Sequence, residues 1–152
     1  MSIQTQQPAS PRQRGFTLIE LMIGVAVTGI LSTVALPSFE GQLQRARRTD
    51  ALVAAMAVQA AQERFRSITL AYGSLAEIGV PAISTAKHYT LQITASDATG
   101  FELLATATGL QARDLACRHM KLTSSGMNLA YASGADATVA NPAAANRICW
   151  AL

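Results

Sequence analysis

The pattern of apolar and polar positions changes character twice along the 152 residues. Residues 16–36 are an almost unbroken apolar run, interrupted by one carboxylate, Glu20, and a few small residues. As a helix this run spans about 32 Å, which matches the hydrocarbon core of a bilayer. Pro37 follows and, with no N–H to donate, should kink the axis. Gly24 and Gly29 weaken the same stretch. From Ser38 to about Arg66 the chain turns rich in Gln, Arg and Ala. Phe39, Leu43, Ala46, Val53, Met56, Ala57, Ala60 and Phe65 recur there at a spacing of three to four, which predicts an amphipathic helix. Residues 16–66 therefore read as one long helix whose outer half needs a cover for its apolar face.

The period then falls to two. Residues 67–88, with Gly73, Gly79 and Pro81, read as a connection, with a short helix near residues 74–77. Alternating stretches follow at residues 89–95, 101–108, 115–123 and 127–131, separated by turn clusters at 97–100 and 124–126. They predict an antiparallel sheet of about four strands, one face packed on the outer half of the helix. Residues 132–147 show no periodicity and read as a loop. The fold class is α+β.

Composition narrows the functional classes. The formal net charge is +3, but residues 1–15 hold Arg12 and Arg14 and no acid, so the remainder carries 3 − 2 = +1. A basic isoelectric point therefore does not imply nucleic-acid binding here. Arg12 and Arg14 should hold the N-terminus in the cytoplasm. An ordinary secretory signal has a shorter apolar core and a small-residue cleavage site, and this run has neither. Glu20 is conspicuous, because a lone charge at mid-membrane costs roughly 2.5–3.5 kcal/mol. No phosphate-binding glycine loop, metal-spaced cluster or nucleophile elbow occurs. His88 and His119 read as surface or strand-face residues. No enzymatic activity, metal or cofactor is expected.

Residues 14–20, Arg-Gly-Phe-Thr-Leu-Ile-Glu, resemble the class III signal of type IV pilins and of type II secretion pseudopilins. The resemblance implies cleavage between Gly15 and Phe16, N-methylation of Phe16, and a role for Glu20 in filament assembly through the Phe16 amine of a neighbour. Gly29 and Pro37 match positions between which the family's helix unwinds in filaments. The alternative is that small residues there pack helices together. The order of elements matches the pilin fold: a long N-terminal helix, a connecting loop, an antiparallel sheet and a C-terminal region bracketed by cysteines. Asp114-Leu-Ala-Cys117, a Leu-Thr-Ser-Ser-Gly strand and turn, and a closing Cys149-Trp150 look like minor pilins of the PilE type.

The resemblance implies a cleaved leader (1–15), a transmembrane and assembly half (16–36) and an amphipathic half (37–66) of the helix. A connecting loop (67–88), a sheet (89–131) and a C-terminal loop region (132–152) follow. Cys117 and Cys149 would lie outside the inner membrane, where disulfides persist, and are read as a pair. Closing that loop stabilises by roughly 3–4 kcal/mol on a chain-entropy account. The implied partners are other pilin subunits, the prepilin peptidase/N-methyltransferase, the assembly platform and the inner membrane before assembly. The implied destination is an extracellular pilus serving twitching motility and adhesion. Two alternatives stay open. One is a type II secretion pseudopilin, although major pseudopilins carry an acid-rich calcium loop and residues 132–147 hold a single acid, Asp136. The other is a competence pilin that binds DNA through Lys87, Arg113, Arg118, His119, Lys121 and Arg147. Against it, neighbours along a strand alternate faces.

Overall fold

The computed structural model describes residues 15–152. Arg12 and Arg14 lie outside the described residues, as do the side chains of residues 34–38, Pro37 included. The chain divides into two compact units between Phe39 and Glu40.

Helix α1 spans Leu18–Thr69, and its backbone is helical at Gly29 and Pro37. Among the described residues of the first unit, Leu18, Ile19, Leu21, Met22, Ile23 and Val25 are all exposed. Three hydroxyls bond back to the helix carbonyls: Thr28 to Gly24 O at 2.7 Å, Ser32 to Thr28 O at 2.8 Å and Thr33 to Ile30 O at 2.7 Å. That satisfies them without solvent. Among the described residues, no helix is long and apolar enough to cross a membrane. The apolar run extends into residues 34–36, whose side chains are not described.

The second unit is a four-stranded antiparallel meander facing the outer half of α1. Its strands are β1 (Tyr89–Ser96), β2 (Gly100–Ala107), β3 (His119–Ser125) and β4 (Asn128–Gly134), in that spatial order. Alternation places Leu91, Phe101, Leu103, Ala105, Met120 and Leu122 on the inner face. Opposite them α1 buries Ala51, Ala54, Ala55 and Val58. Apolar periodicity along α1 had pointed to Val53, Met56, Ala57 and Ala60, yet those four are exposed. The sheet takes the alanine-rich face because small side chains let helix and sheet approach closely, and the bulkier face is left outward. Gln62 is fully buried at the end of the alanine row. Its amide donates to Gly73 O at 2.6 Å and accepts from Gly73 N at 2.9 Å, which satisfies it.

Three further elements differ from the periodicity. Residues 115–117 were read as the start of the third strand but form a 3-10 turn (Leu115–Cys117), preceded by another over Gly109–Arg113. Asp114, held by Arg48, and Cys117, tied to Cys149, bend the chain before the ladder begins. Residues 132–147 are not wholly loop, because α2 (Ala143–Trp150) follows Pro142. Eight residues, half of them alanine or asparagine, are too few to show a period. Residues 74–77 form a capped turn rather than a helix, with the Glu77 carboxylate accepting from Ser74 N at 2.7 Å and Ser74 Oγ at 2.6 Å. Cys117 and Cys149 are disulfide-bonded, with Cα atoms 5.5 Å apart. Trp150 is buried beside them and donates from Nε1 to Ala132 O at 2.9 Å.

Candidate functional site

Two regions hold the residues singled out from the sequence. The first is the head of α1. Gly15 precedes the helix and is exposed, and Phe16 is 90% exposed. Thr17 caps the helix. The Glu20 carboxylate accepts from Thr17 N at 2.9 Å and from Thr17 Oγ1 at 2.8 Å, while Glu20 N donates to Thr17 Oγ1 at 3.3 Å. This is a reciprocal capping box, and it satisfies two N–H groups that a helix start leaves unpaired. The anionic side chain also lies at the positive end of the helix dipole. Phe16, Glu20, Gly24, Thr28 and Ser32 line one shallow groove along the helix. Leu21, Val25 and Gly29 complete its lining, so the groove offers the carboxylate, apolar side chains and small residues on which a second helix could pack.

The second region is the end of the second unit where α1 enters it. Arg48 reaches the loop before the disulfide and donates to Asp114 through Nε at 2.7 Å and through Nη2 at 2.9 Å. The fork geometry makes this a strong, directional pair. Buried Gln111 donates from Nε2 to Asp114 at 3.0 Å and to the Tyr89 hydroxyl at 3.1 Å. Burial pushes the Tyr89 phenol up to about 12. Two residues further along α1, Asp50 clamps the connecting loop, accepting from Ser84 Oγ at 2.5 Å, Ala86 N at 3.0 Å and His88 N at 3.1 Å. Burial opposes its ionisation, but these donors outweigh burial and hold the carboxyl below its ordinary value.

Of the expected basic patch, the structure gathers part at this end and separates part. Arg113 shares a hollow with Glu40, Leu43, Gln44, Arg47 and Leu110. Arg147 sits on α2 beside Ile148, which lines a second hollow with Arg45, Arg48 and Leu52. Arg118 is partly tied down by its Nε bond to Ala112 O at 2.8 Å, and exposed Lys87 lies in a left-handed turn at φ 62°. Lys121 is elsewhere. It projects from the outer sheet face and pairs with Glu102 at 3.0 Å. His119, on the same face, contacts Thr106 Oγ1 at 3.2 Å. The Arg48–Asp114 and Asp50 networks could not be seen beforehand. They join residues 66 and 34–38 positions apart, and no local spacing signals such a contact.

Comparison with known proteins identifies the lineage of this architecture. The family described as "Type IV minor pilin ComP, DNA uptake sequence receptor" matches residues 37–121, more than half of the chain. The chain belongs to the ComP family of type IV minor pilins. The prokaryotic N-terminal methylation motif matches residues 10–36, over the segment that carries Gly15, Phe16 and Glu20. The pilin is 45% identical over 71 residues to the type IV major pilin protein PilA of Myxococcus xanthus, covering 46% of this chain and 32% of PilA. It is 51% identical over 43 residues to the major pilin protein PilE1 of Neisseria gonorrhoeae, covering 28% and 26%. A fimbrial protein of Moraxella nonliquefaciens is 49% identical over 43 residues, covering 28% of each chain. The matched segments thus span about a third or less of these relatives' lengths.

Proposed function

We propose that this pilin is a structural subunit of a type IV pilus, held in the inner membrane through residues 16–36 until it is assembled. In this reading a prepilin peptidase cuts between Gly15 and Phe16 and Phe16 is then N-methylated. Glu20 pairs with the Phe16 amine of a neighbouring subunit, which neutralises both charges in the apolar core of the filament. The observation that carries the reading is the head of α1, where the methylation motif coincides with an exposed apolar helix and a carboxylate-bearing groove. The outward face of α1, with Val53 and Met56 exposed, supplies a further apolar surface for the helix bundle. Unwinding between Gly29 and Pro37 on assembly belongs to the same reading, since the free subunit is helical there.

Mass spectrometry of sheared filaments tests it. N-methylated Phe16 should appear at the processed N-terminus, at low abundance beside a major pilin. Processed protein confined to the cell envelope would instead mark a pseudopilin.

A second reading makes the same subunit a DNA receptor, and the description of the matching family favours it. Arg47 and Arg113 share one hollow with Glu40 and Arg147 is exposed on α2, whereas Lys121 is neutralised by Glu102. Duplex affinity of the processed full chain in detergent should then fall steeply as salt rises, because phosphate contacts release counterions. Affinity that ignores salt, or no affinity, would remove this reading while leaving the filament role intact.

A further inference from the structure

The end of the second unit where α1 enters mixes charge with exposed aliphatic side chains. Two hollows flank the first turns of α1 there, one with Arg47, Arg113 and Leu110 and the other with Arg45, Arg48 and Ile148. Leu110, Leu115 and Ile148 are each more than half exposed. Of the acids at this end, Asp114 is held by Arg48 and Asp50 by Ser84 and two backbone N–H groups, while Glu40 lines the hollow of Arg47 and Arg113, so Arg45, Arg47, Arg48, Arg113 and Arg147 outnumber the three acids. The opposite end differs in sign. Tyr72 N bonds Asp97 O there and Gly126 N bonds Thr99 O, which brings the end of α1 and both hairpin turns together. Its charges are Glu63, Glu77 and Asp97 against Arg64 and Arg66.

We propose that the basic end, through Arg47, Arg113 and Arg147 with Leu110, Leu115 and Ile148, lies on the anionic headgroups of the membrane while the subunit awaits assembly. The proposal rests on the reading that residues 16–36 are in the bilayer. Glu40 then follows the run by four residues, which even fully extended reach at most about 14 Å. The second unit therefore cannot leave the headgroup region, and its orientation there is decided by what the surface attracts. Arginines interleaved with aliphatic side chains suit the boundary between headgroups and acyl chains. A nucleic-acid backbone rewards the arginines but not the leucines, and Tyr89 and Trp150 are buried and cannot stack on bases. Docking would also keep the exposed leucines from promoting aggregation before assembly.

Hydrogen exchange on the processed full chain in lipid nanodiscs tests this. One disc is phosphatidylcholine alone, and the other is an equal mixture with phosphatidylglycerol. In the anionic disc, amides of residues 109–116 and 147–152 should exchange at least about fivefold more slowly, the effect expected of a single basic residue at such a surface. Amides of the turns at 97–99 and 126–127 should not change. The double variant Arg113→Glu, Arg147→Glu alters only exposed side chains and should abolish the difference with an unchanged unfolding transition. Equal exchange in the two discs, with the chain inserted in both, overturns the docking and spares the anchor. A chain absent from the disc fraction overturns both. Protection of the same amides by duplex DNA but not by anionic lipid would assign the surface to nucleic acid and end the proposal.

Discussion

A carboxylate inside an apolar helix needs a partner, and Glu20 has one in its own turn. Thr17 supplies two donors to it, so the carboxylate is not left without hydrogen bonds. Glu20→Ala should leave cleavage at Gly15 intact and abolish or sharply reduce surface filaments in a strain lacking the wild-type copy. Normal piliation in that strain would refute the assembly role. Arg48 and Asp114 pose a different problem, because Asp114 is buried and removing the half-buried Arg48 leaves its charge without a cation. Arg48→Ala should lower the unfolding free energy by about 3–5 kcal/mol, measured by denaturant titration of the processed chain in detergent. A loss under about 1 kcal/mol would mean the pair behaves like an exposed one. The titrating groups set both pH limits. Asp50 has a folded value below its ordinary 3.8, so its contribution is complete above that pH and is lost as pH falls through the lower folded value. Tyr89 moves the other way, from 10.0 to about 12, so its contribution is intact below pH 10 and is lost as pH rises toward 12. The alkaline decline expected of the parent between pH 10 and 12 should therefore be smaller in Tyr89→Phe, measured as unfolding free energy against pH.

Periodicity identified most elements but not always their faces. In β1 and β2, alternation gave both the strand and the buried side, because a half-buried antiparallel strand writes its burial into every second residue. In α1, the same reasoning chose the bulkier apolar face, and the sheet took the alanines. Helical spacing reports where apolar residues recur, not which of two apolar faces a partner will choose. Close approach also governs the hairpins. A Cβ on Gly100 would meet Ser124 O at 2.1 Å, so the β2 and β3 backbones leave no room for a side chain. Gly100→Ala should destabilise by about 1–3 kcal/mol, as overpacking does, and its thermal midpoint should fall accordingly. A neutral result would show that the β1–β2 turn yields readily.

The second unit is closed at its C-terminal edge by one covalent link. The Cys117–Cys149 bridge joins the turn before β3 to α2, and Trp150 packs against Tyr131 with ring centroids 5.0 Å apart. Reduction, or a Cys117→Ser, Cys149→Ser pair, should cost roughly 3–4 kcal/mol and expose the C-terminal residues to protease first. Uniform proteolysis along the chain would instead show that the bridge supports the whole fold. The first unit has no such internal closure. Among the described residues its large apolar side chains are exposed, and covering them requires lipid or other helices.

Local order alone determined much of this protein. The apolar run, the motif at residues 14–20 with Gly15, Phe16 and Glu20, and the switch from helical to strand period all follow from neighbours in the chain. Side chains a few residues apart meet through regular backbone geometry, so their chemistry can be read in one dimension. Tertiary structure decided the rest: which face of α1 is buried, how Arg48 reaches Asp114, and which of Lys87, Arg113, Arg118, Lys121 and Arg147 gather at one end. Those outcomes depend on packing between segments dozens of residues apart, where size and close approach select among faces that the sequence leaves equivalent.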